Sequence, residues 1–426
     1  MKRFWSILIS ALLLLSPACV RPAEIDGQEP TAPSTAEQTE MPTPAETVFT
    51  ETAEPTPAAT EEPSPYAKDY EILWEMLETE YPYLPYLRDK GIDVDGIRKR
   101  YAERVQYAEN PDQFITIIEK TLAELKNTAH LGLMNDWMYE EYYYLFVMDP
   151  DFSDSQDAKL FREYLLDPGL SEIYVRPTDD AETHEEGVAA FYPEPYVSYY
   201  EDCKTIHIKL YSFLHEYVER DSKLVEEAIN RYPDAENIIF DIVGNKGGDT
   251  FYWLHNLVMP FEGDHAFSFR EFFRDTPQNK RWMEIWDVEI CSTAEADDAP
   301  DWAKDYGLDR YYRDTWEIKG DGTVKSSAKR WVLVNRSVYS ASEAFVYFCK
   351  ATGWATVVGT QTGGDGFGGT PILYQLPNTG LLIRYSNTAG ENPDGTMNIE
   401  GTKPDIELKQ AGIIYLLEII RNGGAE

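Results

Sequence analysis

Basic side chains are scarce in this sequence. Its 426 residues include 38 lysines and arginines against 75 aspartates and glutamates, a formal net charge of −37. Such a field repels phosphate backbones and anionic headgroups, which argues against a nucleic-acid role. The acid excess reads as solubility outside the cell. Cysteine is equally scarce, with only Cys19, Cys203, Cys291 and Cys349 present. No two of them stand at CxxC spacing, so a thiol-based metal or redox motif is excluded, as is a dense disulfide framework. Long apolar runs are missing beyond the first residues. No cofactor and no metal is implied.

The apolar run that exists, from about Phe4 to Leu15, follows two cations and precedes small residues and Cys19. It reads as an export signal (1–18), too short and one-sided to span a bilayer stably. "SPAC" resembles a bacterial lipoprotein cleavage site, with Ser16 where leucine is usual, so Cys19 is the expected lipidation site. The expected location is the outer face of a bacterial cytoplasmic membrane, or the medium if Cys19 is not lipidated. Residues 19–66 are dominated by Pro, Thr, Ala and Glu. They cannot bury enough apolar surface to offset chain entropy, and they read as a disordered spacer.

Folded sequence is expected from residue 67. Tyr70, Leu73, Trp74, Leu77 and Tyr81 share a helical face, and Asn110-Pro111 is a helix start ahead of a stripe from Phe114 to Leu125. These give an N-terminal helical domain at 67–134. Residues 135–201 have no clean period and read as an insertion. From 202 to 426 strands and helices alternate. "TIHIKLYSF", "NIIFDIVGN", "WVLVN" and "ATVVG" read as strands, with helices at "SKLVEEAINRY" and at 341–352. "ILYQLP" and "GLLIRYS" form a hairpin across Asn378-Thr379-Gly380. The fold class is α/β.

Ser340 follows one of these strands and opens a helix. A turn of that kind exposes a hydroxyl beside the free N–H groups of a helix start. A serine in such a place is far more often a plain helix cap. "VLVNRSVYSASEAF", then "ATVVGTQTGGDGFGG", "FDIVGNKGGD" and "IEGTKPDI" together resemble the tail-specific, or carboxy-terminal processing, serine protease family. The resemblance implies a ClpP/crotonase-like α/β core with an N-terminal helical cap. It makes Ser340 the nucleophile and gives the oxyanion donors to the amides of Gly248 and Ala341. Gly247, Gly363, Gly364 and Asp365 become candidate substrate-binding positions.

One residue that the obvious branch of that family requires is absent. The Ser-Lys branch has lysine inside Gly-Lys-Gly, where this chain has Asp365, and an aspartate cannot act as a neutral amine base. Lys246 and Lys403 do not match that position. The tricorn-like Ser-His-Glu branch fits better. It implies His130, in "TAHLGLM", as general base and Glu400, in "NIEGTKPD", as its support. His184, His207, His215, His255 and His265 lack motif support. Asp365 is then expected to accept loop N–H groups and to stay off the nucleophile. No carboxylate-binding loop of a PDZ module is evident between Met134 and Cys203. The expected function is an extracytoplasmic serine peptidase acting on peptide or protein substrates. The alternative is an inactive family member that binds a ligand or peptide at the surface.

Overall fold

The computed structural model describes residues 62–150, 152–170, 173–174, 192–367 and 369–423. The signal segment, Cys19, most of the spacer and His184 lie outside the described residues. The body begins with helix α1 (Pro65–Thr79), where Ser64 Oγ accepts the Ala67 N–H at 3.1 Å and proline fills the first turn. Its apolar stripe is buried as the spacing demands, Tyr70, Leu73, Trp74 and Leu77 all being inaccessible to solvent. Helices α2 (Leu84–Asp89) and α3 (Val94–Val105) follow, then α4 (Pro111–Glu124). The Asn110 side chain caps α4 through the Gln113 N–H at 3.0 Å.

Two further helices, Asp136–Tyr143 and Gln156–Leu165, lie within the segment read as an insertion. The main sheet is built from β2 (Tyr196–Tyr200), β3 (Thr205–Lys209), β4 (Asn237–Asp241), β8 (Lys329–Val334), β9 (Thr356–Gly359) and β13 (Ile406–Glu407). Their order is β13-β9-β8-β4-β3-β2, parallel from β13 to β3, with β2 antiparallel at the edge. Alternate residues of the central strands serve different cores. Ile238, Phe240, Val332 and Val334 face the helices Val218–Arg231 and Ala341–Thr352. Ile239, Trp331 and Leu333 face the terminal helix Ile413–Arg421. Burial on both faces is why these strands read as continuous apolar runs. Each such side chain contributes about 1.5–3 kcal/mol of transfer free energy.

A second sheet, not anticipated above, pairs the long strands β5 (Asp264–Phe273) and β7 (Arg310–Lys319), flanked by β6 (Cys291–Ser292) and β12 (Ala389–Gly390). A third sheet positions the site. The expected hairpin forms from β10 (Ile372–Gln375) and β11 (Leu382–Tyr385), and β1 (Gly132–Leu133) adds to it antiparallel, with Gly132 opposite Arg384. The Asp69 carboxylate of α1 accepts the N–H groups of Asn378 and Thr379 at the hairpin turn. The N-terminal helices and this hairpin therefore share one apolar core.

Candidate active site

Ser340 stands between the end of β8 and the helix Ala341–Thr352, with φ +58° and ψ −131°. A non-glycine residue held there costs about 1–3 kcal/mol, and the surrounding contacts must over-determine it. They do. The Ser340 N–H donates to Gly364 O at 3.1 Å, and Tyr339 bridges Gly364 in parallel register. This pairing sets the glycine-rich loop against the Ser340 turn. On the other side, a Cβ on Gly247 would stand 2.9 Å from both Ala341 N and Ser340 Cβ. A Cβ on Gly248 would stand 2.3 Å from the Phe213 carbonyl carbon. The Asn245 side chain fixes that loop, accepting the Gly247 N–H at 2.9 Å and the Ser342 hydroxyl at 2.6 Å. The two expected oxyanion donors, on Gly248 and Ala341, thus belong to segments packed on either side of Ser340. Glu343 anchors the closing segment, its carboxylate accepting the Thr402 N–H at 3.0 Å, and burial pushes its acid up to about 7.

His130 arrives from the N-terminal side because β1 pairs with β11. The Met134 N–H donates to Leu382 O and the Ser386 N–H to Ala129 O, so the residue just before β1 is pinned at the end of the hairpin. His130 Nε2 lies 3.2 Å from Ser340 Oγ. Its Nδ1 hydrogen-bonds Ser386 Oγ at 3.0 Å, and Asp365 Oδ2 lies 2.5 Å from the same nitrogen. With the Nδ1 proton facing the carboxylate, Nε2 is left to accept the serine hydroxyl. Burial holds the imidazole below its ordinary range, and Asp365 offsets part of that effect. Burial thus favours the neutral imidazole. All three side chains sit on strained backbone. Eight non-glycine described residues have positive φ, and six of them are Ser340, Asp365, His130 and its neighbours Lys126, Asn127 and Ala129.

Glu400, expected to support the imidazole, is not there. Its backbone packs on the glycine-rich loop, with Glu400 O accepting from Gln361 Nε2 at 3.0 Å. Its carboxylate turns outward and pairs with Lys90 Nζ at 2.7 Å. The next residue, Gly401, packs tightly on the same loop, where a Cβ would stand 2.1 Å from Thr362 O. Asp365, expected to stay off the nucleophile's machinery, occupies the position against His130 instead. Gly363, Gly364 and Gly247 act here as close-approach positions of backbone. Lys246 is exposed, and Lys403 lies 3.9 Å from Asp394 on the surface. Of the remaining described histidines, His215 pairs with Asp249 at 2.7 Å, His207 with Asp241 at 3.1 Å and His255 with Asn256 at 2.9 Å. Cys203, Cys291 and Cys349 are free thiols.

A strained serine at a helix start, a buried histidine on its hydroxyl and a carboxylate on the other ring nitrogen are the parts of a serine hydrolase. The profile of Peptidase family S41 matches residues 204–408, and that of the Tricorn protease C1 domain matches residues 64–123. The chain belongs to peptidase family S41 and is a serine peptidase. A putative peptidase from Parabacteroides merdae is similar in structure, with 18% identity and a TM-score of 0.51, over 83% of this chain and 93% of that one. Mature CPAF gives 13% identity and a TM-score of 0.48, over 84% of this chain and 94% of its own. The tricorn protease gives 13% identity and a TM-score of 0.41, over 84% of this chain and 36% of its own. At these identities the likeness speaks to fold alone. No curated protein matches the sequence.

Proposed function

We propose that this peptidase cleaves peptide bonds through a Ser340–His130–Asp365 relay. Ser340 Oγ attacks the scissile carbonyl carbon as its proton passes to His130 Nε2. The negative charge on the carbonyl oxygen is met by the N–H groups of Gly248 and Ala341. His130 then returns the proton to the leaving amine, and an acyl-enzyme remains on Ser340. Water, deprotonated by His130, releases the acid and restores the hydroxyl. We give Asp365 the supporting role that family resemblance assigns to Glu400. A carboxylate 2.5 Å from Nδ1 can orient the ring and stabilise the imidazolium, and one paired with Lys90 cannot.

The observation that carries this reading is the pair of contacts on one buried imidazole, Ser340 on Nε2 and Asp365 on Nδ1. A ligand-binding relative without catalysis would have no need to hold three adjacent side chains on strained backbone. A fluorophosphonate probe tests it. Wild type should label at Ser340, Ser340→Ala should not, and Ser342→Ala should still label. Labelling elsewhere, or none, would sink the proposal.

The five parallel strands of the six-stranded sheet support reading the core as ClpP/crotonase-like. The N-terminal residues support export, with Cys19 as the lipid attachment point and the Pro/Thr/Glu-rich segment as a spacer from the membrane. Two acyl chains on one diacylglyceryl group suffice for stable anchoring. Detergent partitioning that survives Cys19→Ala would reject the anchor.

A further inference from the structure

Asp365 Oδ2 receives more than the imidazole. The Tyr339 hydroxyl donates to it at 2.7 Å and the Ser386 hydroxyl at 3.3 Å. Ser386 Oγ is also the hydrogen-bond partner of His130 Nδ1 at 3.0 Å. Tyr339 touches the base a second time, since the His130 N–H donates to its hydroxyl oxygen at 3.4 Å and the two rings lie 5.1 Å apart. These two residues come from different elements. Tyr339 immediately precedes the nucleophile, and Ser386 follows β11, the strand that recruits His130.

We infer that Tyr339 and Ser386 are positioning residues that hold Asp365 against His130. The inference rests on the reading of Ser340, His130 and Asp365 given above. Its physical basis is geometric. Asp365 has φ +58° in a glycine-flanked loop, where nothing in the backbone alone fixes the carboxylate. Its side chain is almost wholly buried, where an ionised carboxylate needs donors. Two neutral hydroxyls supply them without adding a competing charge. Tyr339 suits the task because burial keeps its phenol protonated well beyond the ordinary range, so it stays a donor. One turn of chain then carries both the nucleophile and the tether of the relay's acid. Any shift of that turn moves Ser340 and Asp365 together.

Removing a donor leaves more negative charge on Oδ2 for the imidazole to meet. The pair then takes up a proton more readily, and the acid limb of activity moves to higher pH. Other groups face this pair as well. Arg384 from β11 opposes protonation of His130, and the buried Glu271, Tyr81 and Tyr83 lie near Asp365. None of these is altered by the substitutions below.

The test is the rate of fluorophosphonate labelling at Ser340 as a function of pH. Tyr339→Phe should slow labelling about tenfold at the plateau, as expected for one lost hydrogen bond to a charged group, and should raise the acid limb. Ser386→Ala should act in the same direction. In an Asp365→Asn background Tyr339→Phe should add nothing, because its effect passes through the lost charge. A His130 imidazole titration by NMR reads the same tether without turnover and should shift upward in Tyr339→Phe. Unchanged limb and rate in both variants, with wild type labelling normally at Ser340, would overturn the inference. So would an equal loss in the Asp365→Asn background, which would mean a purely structural tyrosine. A wild type that never labels at Ser340 would instead overturn the hydrolase reading itself, and this inference with it.

Discussion

Among the described residues, two serine-histidine-aspartate chains stand in different surroundings, one at the candidate site and one in the main sheet. On the edge of the main sheet, Ser198 Oγ lies 3.3 Å from His207 Nδ1, and His207 Nε2 lies 3.1 Å from Asp241 Oδ2. The order of contacts is that of Ser340, His130 and Asp365, but with the two ring nitrogens exchanged, the serine on Nδ1 and the carboxylate on Nε2. The surroundings differ. Ser198 sits mid-strand opposite His207 in the β2–β3 ladder, with regular backbone and no helix start beside it. None of the three edge residues has positive φ, whereas all three at the candidate site do. Asp241 also serves Lys209, whose Nζ is 2.9 Å from Oδ1. Burial works against its charge, but His207 and Lys209 prevail and hold the acid below its usual range. A carboxylate so neutralised has little left to stabilise an imidazolium. The comparison teaches that the side-chain trio is cheap for a sheet to assemble. Backbone held in a costly conformation at the start of a helix is what separates the candidate site from this structural network.

That contrast can be broken or sharpened by substitution. Ser340→Ala should abolish fluorophosphonate labelling and peptide hydrolysis, the largest effect expected. His130→Ala should lower the rate ~10²–10⁴-fold, the usual loss of general-base assistance. Asp365→Asn should follow, on the order of 10²-fold or more, because the imidazole loses its correct tautomer and its counter-charge. The pH profile comes next. Burial depresses His130, so the acid limb of kcat/KM should lie below the ordinary histidine value of about 6.5. The same sign applies to stability. A histidine buried neutral must gain a proton more easily when unfolded, so stability should fall as pH drops below about 6.5. Glu400→Gln breaks only a part-exposed pair with Lys90 and should cost less than about fivefold. Ser198→Ala and His207→Gln should leave hydrolysis unchanged. Loss of activity on either would place chemistry at the wrong end of the comparison.

Much of the scaffold was legible. Continuous apolar runs gave the parallel strands because those strands are buried on both faces, and Asn110-Pro111 gave the start of α4 because capping is local. Motif position, a strand-to-helix turn for Ser340 and a helix end for His130, picks out two side chains that the structure brings within 3.2 Å of each other. The long strands β5 and β7 are not legible although Tyr312, Trp316 and Ile318 alternate inward, because Asp314 interrupts the apolar register of β7. The nearness of Asp365 to His130 is not legible, because it depends on the Tyr339–Gly364 bridge, a tertiary contact with no sequence signature. The motif position of Glu400 is legible, but the direction of its side chain, toward Lys90, is not. Tyr339 and Ser386 left no signal, since a tethering hydroxyl has no spacing rule.

The central claim is that Asp365, not Glu400, completes the relay, and paired kinetics decide it. Labelling rates at Ser340 should be measured side by side for wild type, Asp365→Asn and Glu400→Gln at a pH above the acid limb. The account predicts a loss on the order of 10²-fold or more for Asp365→Asn and less than about fivefold for Glu400→Gln. The reverse ranking, with Asp365→Asn close to wild type and Glu400→Gln nearly inert, would contradict it.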